Sequence, residues 1–435
     1  MIFYVLILYI FFILLRGKNV REKLFITTIV FTIFFYSSHD PIVGMPLYFE
    51  VMLVSIVVSV VKKHKVKVRK LVLICIGSII VTLMIQLLNI YCGINITQVI
   101  LLKESDTDVM NIATQLTAPK LNFTVFKHFS FYMCYLIFVF VNSDLLKNRK
   151  NIDDTFKVLI KGFKILFICL IIESLIVNAL GGYNDRHLMQ IIFGFKNLNM
   201  QENWKTFGIF SVAFSFTERS YMGVVIVYYL ILSVYKKYDY DFLKWFIISI
   251  VAVLCTGSST ALVVVLLFAV YFFRDVFIKG KSSMVRIGFL LAAIIGAGLF
   301  AMYSSMLLNK INVFFDQSEV WSSGYFRRQS ITYGLKAIEF SPLIGIGIGT
   351  VYAHSMIIQT VANIGILGVV LGVIYHIEII STPKINIDRF YKVIITIIIC
   401  SSTFTVQDFT SPLLLCLILG CFETNVEYER ISRLE

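Results

Sequence analysis

"HSMIIQTVANIGILGVVLGVIYHIEI", residues 354–379, decides the fold. One glutamate is its only acid, and it contains no lysine or arginine. A bilayer core of about 30 Å is crossed by a helix of about 20 mostly apolar residues, so the stretch predicts a membrane-spanning helix. Similar blocks recur along the whole chain, and 58% of its 435 residues are hydrophobic, against about 45–50% apolar in soluble domains. Spans are expected at about 1–15, 24–38, 43–61, 71–91, 123–143, 158–180, 211–235, 242–257, 259–273, 287–308, 354–379, 391–406 and 410–423. The pairs around "TGSST" (256–260) and "VQDFTSP" (406–412) are short enough that each can be one broken helix. The expected fold is all-α: residues 1–435 form one polytopic integral membrane domain with about eleven to thirteen transmembrane helices. That many blocks exclude a signal peptide ahead of a soluble domain.

The net charge of +13 points in the same direction. Basic residues cluster in every second loop, among them "RGKNVREK" (16–23), "KKHKVKVRK" (62–70), "KNRK" (147–150) and "KINIDRFYK" (384–392). This alternation is the positive-inside pattern. It predicts an extracytoplasmic N-terminus and a cytosolic C-terminus, and it argues against nucleic acid as a partner. The eight cysteines mostly lie inside apolar blocks and none forms a CxxC pair, so they read as packing residues. The inner loops are too small for a catalytic domain. The outer side has three longer segments, about 92–122, 181–210 and 309–353, and long loops are where function concentrates.

The third outer loop ends in "GYFRRQSITYGLKAIEFSPLIGIGIGTVYAHS" (324–355). Residues 324–341 have helical spacing. Ile331, Leu335 and Ile338 form an apolar stripe while Arg328, Thr332 and Lys336 share another face, and a helix of this kind is expected to lie on or between the outer ends of the spans. Ser341-Pro342 stops the helix, because a residue before proline avoids the helical region. Arg327 and Arg328 offer planar donor forks suited to phosphate, or to acidic headgroups. Gly345, Gly347 and Gly349 suit tight turning and close backbone approach near membrane depth. His354 opens the next span, either as a structural residue or, near a phosphate-binding arginine, as a base. Glu173 lies within a span, toward its outer half, where a carboxylate is a functional candidate by default. The Asp-x-Asp triplets at 106–108 and 239–241 read as solvated loop acids, and no metal site is expected.

"GYFRRQSITYGLKAIEFSPLIGIGIGTVYAHSMIIQTVANIGILGVV" resembles the core of the O-antigen polymerase and O-antigen ligase superfamily. The likeness rests on Gly324, Arg327 or Arg328, Pro342, Leu343, Gly345, Gly347, Gly349, His354, Gly365 and Gly368. "TGSSTALVVVLLF" (256–268) resembles that family's Ser-Arg-Thr/Gly-Ala-Leu turn, with Ser259 where arginine often stands. "KTFGIFSVAFSFTERSYMG" (205–223) resembles its Arg…Gly-x-Phe…Glu-x-Ser segment, with Lys205 at the arginine position. The likeness covers roughly residues 200–380, and Ser355 stands where the family usually has asparagine after the histidine.

The resemblance implies polymerisation of undecaprenyl-diphosphate-linked oligosaccharide repeat units on the outer face of a bacterial cytoplasmic membrane, for capsule, exopolysaccharide or O-antigen. It implies no metal and no cofactor. Arg327, Arg328, Lys205 and Arg219 are the candidate cations for the diphosphate. Lys336 and Glu173 are further substrate-binding candidates, and His354 or Glu218 would act on the attacking hydroxyl. Implied partners are the lipid-linked oligosaccharide, membrane lipids, a chain-length regulator and a flippase. The alternatives are a ligase passing finished glycan to another acceptor, or a flippase or other carrier of the lipid-linked oligosaccharide.

Overall fold

The computed structural model describes residues 2–16, 19–35, 38, 45–62, 70–91, 99–100, 116–117, 123–181, 205–206, 209–210, 212, 225, 228–229, 232, 242–258, 323–351, 353, 355–380, 417–418 and 420. The spans expected at 259–273, 287–308 and 391–406, and most of those at 211–235 and 410–423, lie outside the described residues.

Ten helices are present among the described residues: α1 (Ile2–Arg16), α2 (Val20–Phe34), α3 (Leu47–Lys62), α4 (Lys70–Tyr91), α5 (Phe123–Val141), α6 (Ser143–Lys147), α7 (Arg149–Ala179), α8 (Phe242–Thr256), α9 (Ser323–Phe340) and α10 (Met356–Ile380). Two two-residue antiparallel pairings accompany them: β1 (Val99–Ile100) with β2 (Leu116–Thr117), and β3 (Lys205–Thr206) with β4 (Ile209–Phe210). The all-α class therefore holds. Among the described residues one helix, Met356–Ile379, is both long and apolar enough to cross a membrane, while Ile2–Leu15, Val125–Val141 and Lys244–Thr256 are apolar but shorter.

α7 is longer than its apolar block. It begins at Arg149, nine residues before the expected 158. The Asn148 side chain accepts from the Asn151 N–H and caps it, and Arg149–Asp153 and Lys157–Asp154 pairs line its first turns. Apolarity marks where a helix is greasy, whereas capping and side-chain pairing decide where it starts.

The main core is aromatic. Phe25 stacks on Phe138, Phe34 meets Phe163 edge-on, and Phe167 meets Tyr229 at 90°. Gly162 makes room for the Phe34 ring, which a Cβ there would meet at 2.8 Å. The outward faces are equally apolar. On α7, Ile165, Ile168, Ile172 and Leu175 form an exposed stripe opposite the buried Leu159, Phe163, Leu166 and Leu170. On α1 most large apolar side chains are exposed, and only Leu6 and Ile13 are buried.

Polar contacts sort the elements into two ends. At one end the Arg21 guanidinium of α2 grips both carboxylate oxygens of Asp144 at 2.5 Å and donates to the Val141 carbonyl and Ser59 Oγ. Ser59 donates in turn to Asn142 Oδ1. This ties α2 and α3 to the α5–α6 junction, so one of the orienting arginines also fastens helices. The C-terminal end of α10 packs against α6, and Tyr375 Oη donates to the Leu136 carbonyl. At the other end α9 packs against β1 and α10, and α10 packs against α4.

Candidate functional site

α9 begins at Ser323 and ends at Phe340, one residue off the sequence expectation at each end. Its packed face differs from the expected one. Leu335 is exposed, and Ile331 and Ile338 are half-buried. Gly334 and Ala337 are sealed against α10 and the preceding turn, and Ser330, four residues before Gly334, is also buried. A Cβ at Gly334 would lie 2.6 Å from Ile358 Cγ2 and 3.2 Å from Ala353 Cβ, which leaves no gap for a larger side chain. Small residues let two backbones approach closely, and this outweighs a stripe of larger apolar groups as the packing face. Arg328 is half-buried. Lys336 is exposed, with its Nζ 5.0 Å from the Tyr333 ring centroid.

α10 is two helices joined at Gly365, whose φ of 68° and ψ of 176° lie outside the helical region. Residues 342–351, between α9 and α10, cross at this break. Two helical rungs would normally run from Ile366 N–H to Ala362 O and from Leu367 N–H to Asn363 O. Instead Ile366 N–H donates to Pro342 O at 2.9 Å and Leu367 N–H to Leu343 O at 3.0 Å. The released carbonyls of Ala362 and Asn363 accept from Ile346 N–H and Gly347 N–H at 2.9 and 3.0 Å. The crossing segment thus replaces both missing rungs, as buried backbone polar groups require.

The glycines make this approach possible. Gly345, Gly347 and Gly349 have φ of 72°, 122° and 73°. A Cβ at Gly345 would lie 2.5 Å from the Asn363 carbonyl, and one at Gly365 would collide with the backbone of Leu343 and Ile344. The sequence expectation of tight turning and close approach holds at these positions.

Asn363 fastens the crossing. Its Oδ1 accepts from Thr350 N–H and Val351 N–H, both at 3.0 Å. Its Nδ2 donates to Val351 O at 3.1 Å and Gln359 O at 2.7 Å. Gln359 Oε1 accepts from Ala353 N–H at 3.2 Å. From α4, Gln86 Nε2 donates to Thr350 Oγ1 at 2.5 Å, and Gly347 packs against the same side chain. Asn363 is 2% exposed, so Asn363→Ala removes four buried hydrogen bonds, each worth about 0.5–1.5 kcal/mol, and leaves the Val351 N–H unmet while the Thr350 N–H keeps Gly347 O at 3.3 Å. A loss of about 2–5 kcal/mol is expected, read as a lower unfolding temperature of the detergent-solubilised protein; an unchanged temperature would show that Asn363 does not hold the crossing.

A second polar group lies between α7 and α8. Glu173 is 7% exposed and lies on α7 one turn after Cys169. Ser174 lies within hydrogen-bonding reach of Cys255, and Asn178 donates to the Ser174 carbonyl and hydroxyl. Val212 N–H donates to Cys255 O at 3.0 Å, and β4 packs on α7. This brings the segment that starts at Lys205 and the start of the TGSST turn, with Thr256 and Ser258 buried, to the helix that carries Glu173.

Of the expected site residues, Arg327, Arg328 and Lys336 are on α9, Lys205 is in β3 and Glu173 is on α7. His354, Glu218 and Arg219 lie outside the described residues. The structure adds one group that sequence reasoning passes over. His376 Nε2 meets Tyr135 Oη at 2.7 Å and Nδ1 meets the Gly372 carbonyl at 2.6 Å. A carbonyl only accepts, so Nδ1 carries the proton and Nε2 accepts from the tyrosine. With the partners 241 residues apart, no local signal marks the pair.

Comparison with protein-family models, with curated proteins and with solved structures returned no match for this chain.

Proposed function

We propose that the chain is a polytopic protein of a bacterial cytoplasmic membrane that polymerises undecaprenyl-diphosphate-linked oligosaccharide repeat units on the outer face, as the resemblance in residues 200–380 implies. One observation carries the reading: the arginine-bearing helix α9 is clamped through Gly334 and Ala337 onto a helix broken at Gly365. Such a clamp fixes the helix that carries the candidate cations, and fixed charge is what transition-state stabilisation requires. The exposed apolar stripes on α1 and α7 support a lipid-facing surface.

The two ends of the molecule also agree with the charge-based orientation. Arg21, Ser59 and Asp144 meet at the end assigned to the cytosol. Gln86, β1 and α9 belong to the end assigned to the exterior.

In the proposed reaction an acceptor hydroxyl oxygen bonds to the anomeric carbon. The bond from that carbon to the diphosphate oxygen breaks, and undecaprenyl diphosphate leaves with the electron pair. The hydroxyl proton passes to His354 or Glu218. Arg327 or Arg328, with Lys205 and Arg219, meets the departing negative charge, and Lys336 and Glu173 contact the glycan. Arginine cations carry the charge without a metal in this scheme.

Broken helices are also common in carriers, which makes a flippase the second reading. In carriers the freed backbone groups face the cargo, whereas here the crossing segment consumes them. A ligase shares the chemistry and differs only in its acceptor. Deletion of the gene separates these readings. A polymerase leaves single repeat units on the lipid carrier, a ligase leaves long unattached chains, and a flippase leaves repeat units on the cytosolic face. A cysteine placed in the 309–322 stretch should react with an impermeant reagent on intact cells; labelling only after lysis would reverse the orientation.

A further inference from the structure

One face of α7 changes character along its length. Lys157, Lys161 and Lys164 stand at i, i+4 and i+7, and Ile168, Ile172 and Leu175 continue the row at i+11, i+15 and i+18. The opposite face, with Phe156, Leu159 and Phe163, is sealed into the core. Resting on the membrane placement proposed above and not on the glycan chemistry, we propose that the lysine end of this row binds the headgroup of an anionic phospholipid, of the phosphatidylglycerol type, in the cytosolic leaflet.

Length sets the depth. α7 has 31 residues, about 46 Å at the rise of an α-helix, and the bilayer core takes about 30 Å of it. Counted back from Ala179, the core ends about twenty residues earlier, between Lys157 and Lys161. Lys164 lies little more than one turn inside that level, and a lysine stem can lift its charge to the surface. A second helix marks the same depth. Lys164 Nζ sits 4.9 Å from the ring centroid of Trp245 on α8, which packs beside α7, and indole rings gather at the membrane–water boundary.

Charge is left over at this boundary. Asp154 is the acid on the lysine face, and it pairs with Lys157 at 3.4 Å. The neighbouring Asp153 pairs with Arg149. Lys164 is engaged by the Trp245 ring. Lys161 stands between them, exposed, and forms no hydrogen bond, ion pair or ring contact among the described residues. The apolar half of the row is exposed as well. A soluble anion would meet the lysines alone. A phospholipid meets both halves at once, with its phosphate at Lys161 and its acyl chains along Ile168 and Ile172.

The test uses the full chain in neutral detergent, with phosphatidylglycerol and phosphatidylcholine of matched acyl chains as probes and bound lipid counted by native mass spectrometry. Each lysine near an anionic headgroup is worth about fivefold in binding. Phosphatidylglycerol should therefore bind about tenfold or more tightly than phosphatidylcholine. Lys161→Gln should weaken it about fivefold, and the combined Lys157→Gln, Lys161→Gln and Lys164→Gln variant should lose the preference. Lys62→Gln, at the end of α3, removes an exposed charge from the same cytosolic side and should leave the preference intact. Glycerol phosphate, which lacks acyl chains, should not displace the lipid. Equal binding of the two lipids, or as large a loss in Lys62→Gln as in Lys161→Gln, overturns the proposal. Displacement by glycerol phosphate makes this a site for soluble phosphate esters and overturns the lipid assignment. If the combined variant does not extract as a monodisperse protein, Lys161→Gln alone decides. The membrane placement is tested separately: release of the chain from membranes by a carbonate wash would remove it, and with it this proposal, whereas retention with equal lipid binding removes the proposal alone.

Discussion

Gly365→Ala is expected to destabilise the fold severely. Its φ of 68° with ψ of 176° belongs to a region essentially reserved for glycine, and a side chain there costs about 1–3 kcal/mol. The added Cβ would also overlap Leu343 O and Ile344 N. Both are backbone atoms tied into the crossing, so no rotamer change relieves the clash. Overpacking adds about 1–3 kcal/mol, and the crossing hydrogen bonds at Pro342, Leu343, Ile346 and Gly347 are at risk together. Together these come to about 2–6 kcal/mol, a large share of the whole stability of an ordinary domain, about 5–15 kcal/mol. The monodisperse fraction after detergent extraction reads the effect. Gly372→Ala is the control: nothing lies within 4 Å of a Cβ there, and alanine favours the helix by about 0.5–1 kcal/mol. If both variants extract like the native protein, the break at Gly365 is not a built feature.

His354→Ala carries the largest expected effect on rate. A general base contributes about 10²–10⁴-fold, so elongation should fall by that factor while lipid-diphosphate binding stays near native. Glu218→Gln tests the competing base in the same assay. A loss in Glu218→Gln with near-normal turnover in His354→Ala transfers the base to Glu218. A loss of binding rather than turnover in His354→Ala makes the histidine a diphosphate ligand.

These two residues mark what a sequence can and cannot show. Helix positions are legible where apolarity and a stop signal coincide. α4 is expected at 71–91 and found at Lys70–Tyr91, and α9 ends next to Ser341-Pro342. Gly365 is legible as a family-like glycine. Its break is not, because the rungs it loses are replaced by residues about twenty positions earlier. The packed face of α9 is misread for a related reason. Ile331, Leu335 and Ile338 form a good stripe by hydropathy, but Gly334 and Ala337 win by allowing close approach to Ile358 and Ala353. Hydropathy measures what a side chain gains by leaving water, not how near a neighbour can come. Gln86–Thr350 and Tyr135–His376 span 264 and 241 residues and leave no local trace. The candidate residues Arg327, Arg328 and Lys336 are legible as types and as members of one helix.

We propose that this chain joins lipid-linked glycan units by itself. Its most direct test is the purified protein in detergent, without any ion gradient, supplied with undecaprenyl-diphosphate-linked repeat units from the same cells. A ladder of longer lipid-linked chains is predicted. Repeat units that remain single, in a preparation that is folded and binds undecaprenyl diphosphate, would contradict a polymerase.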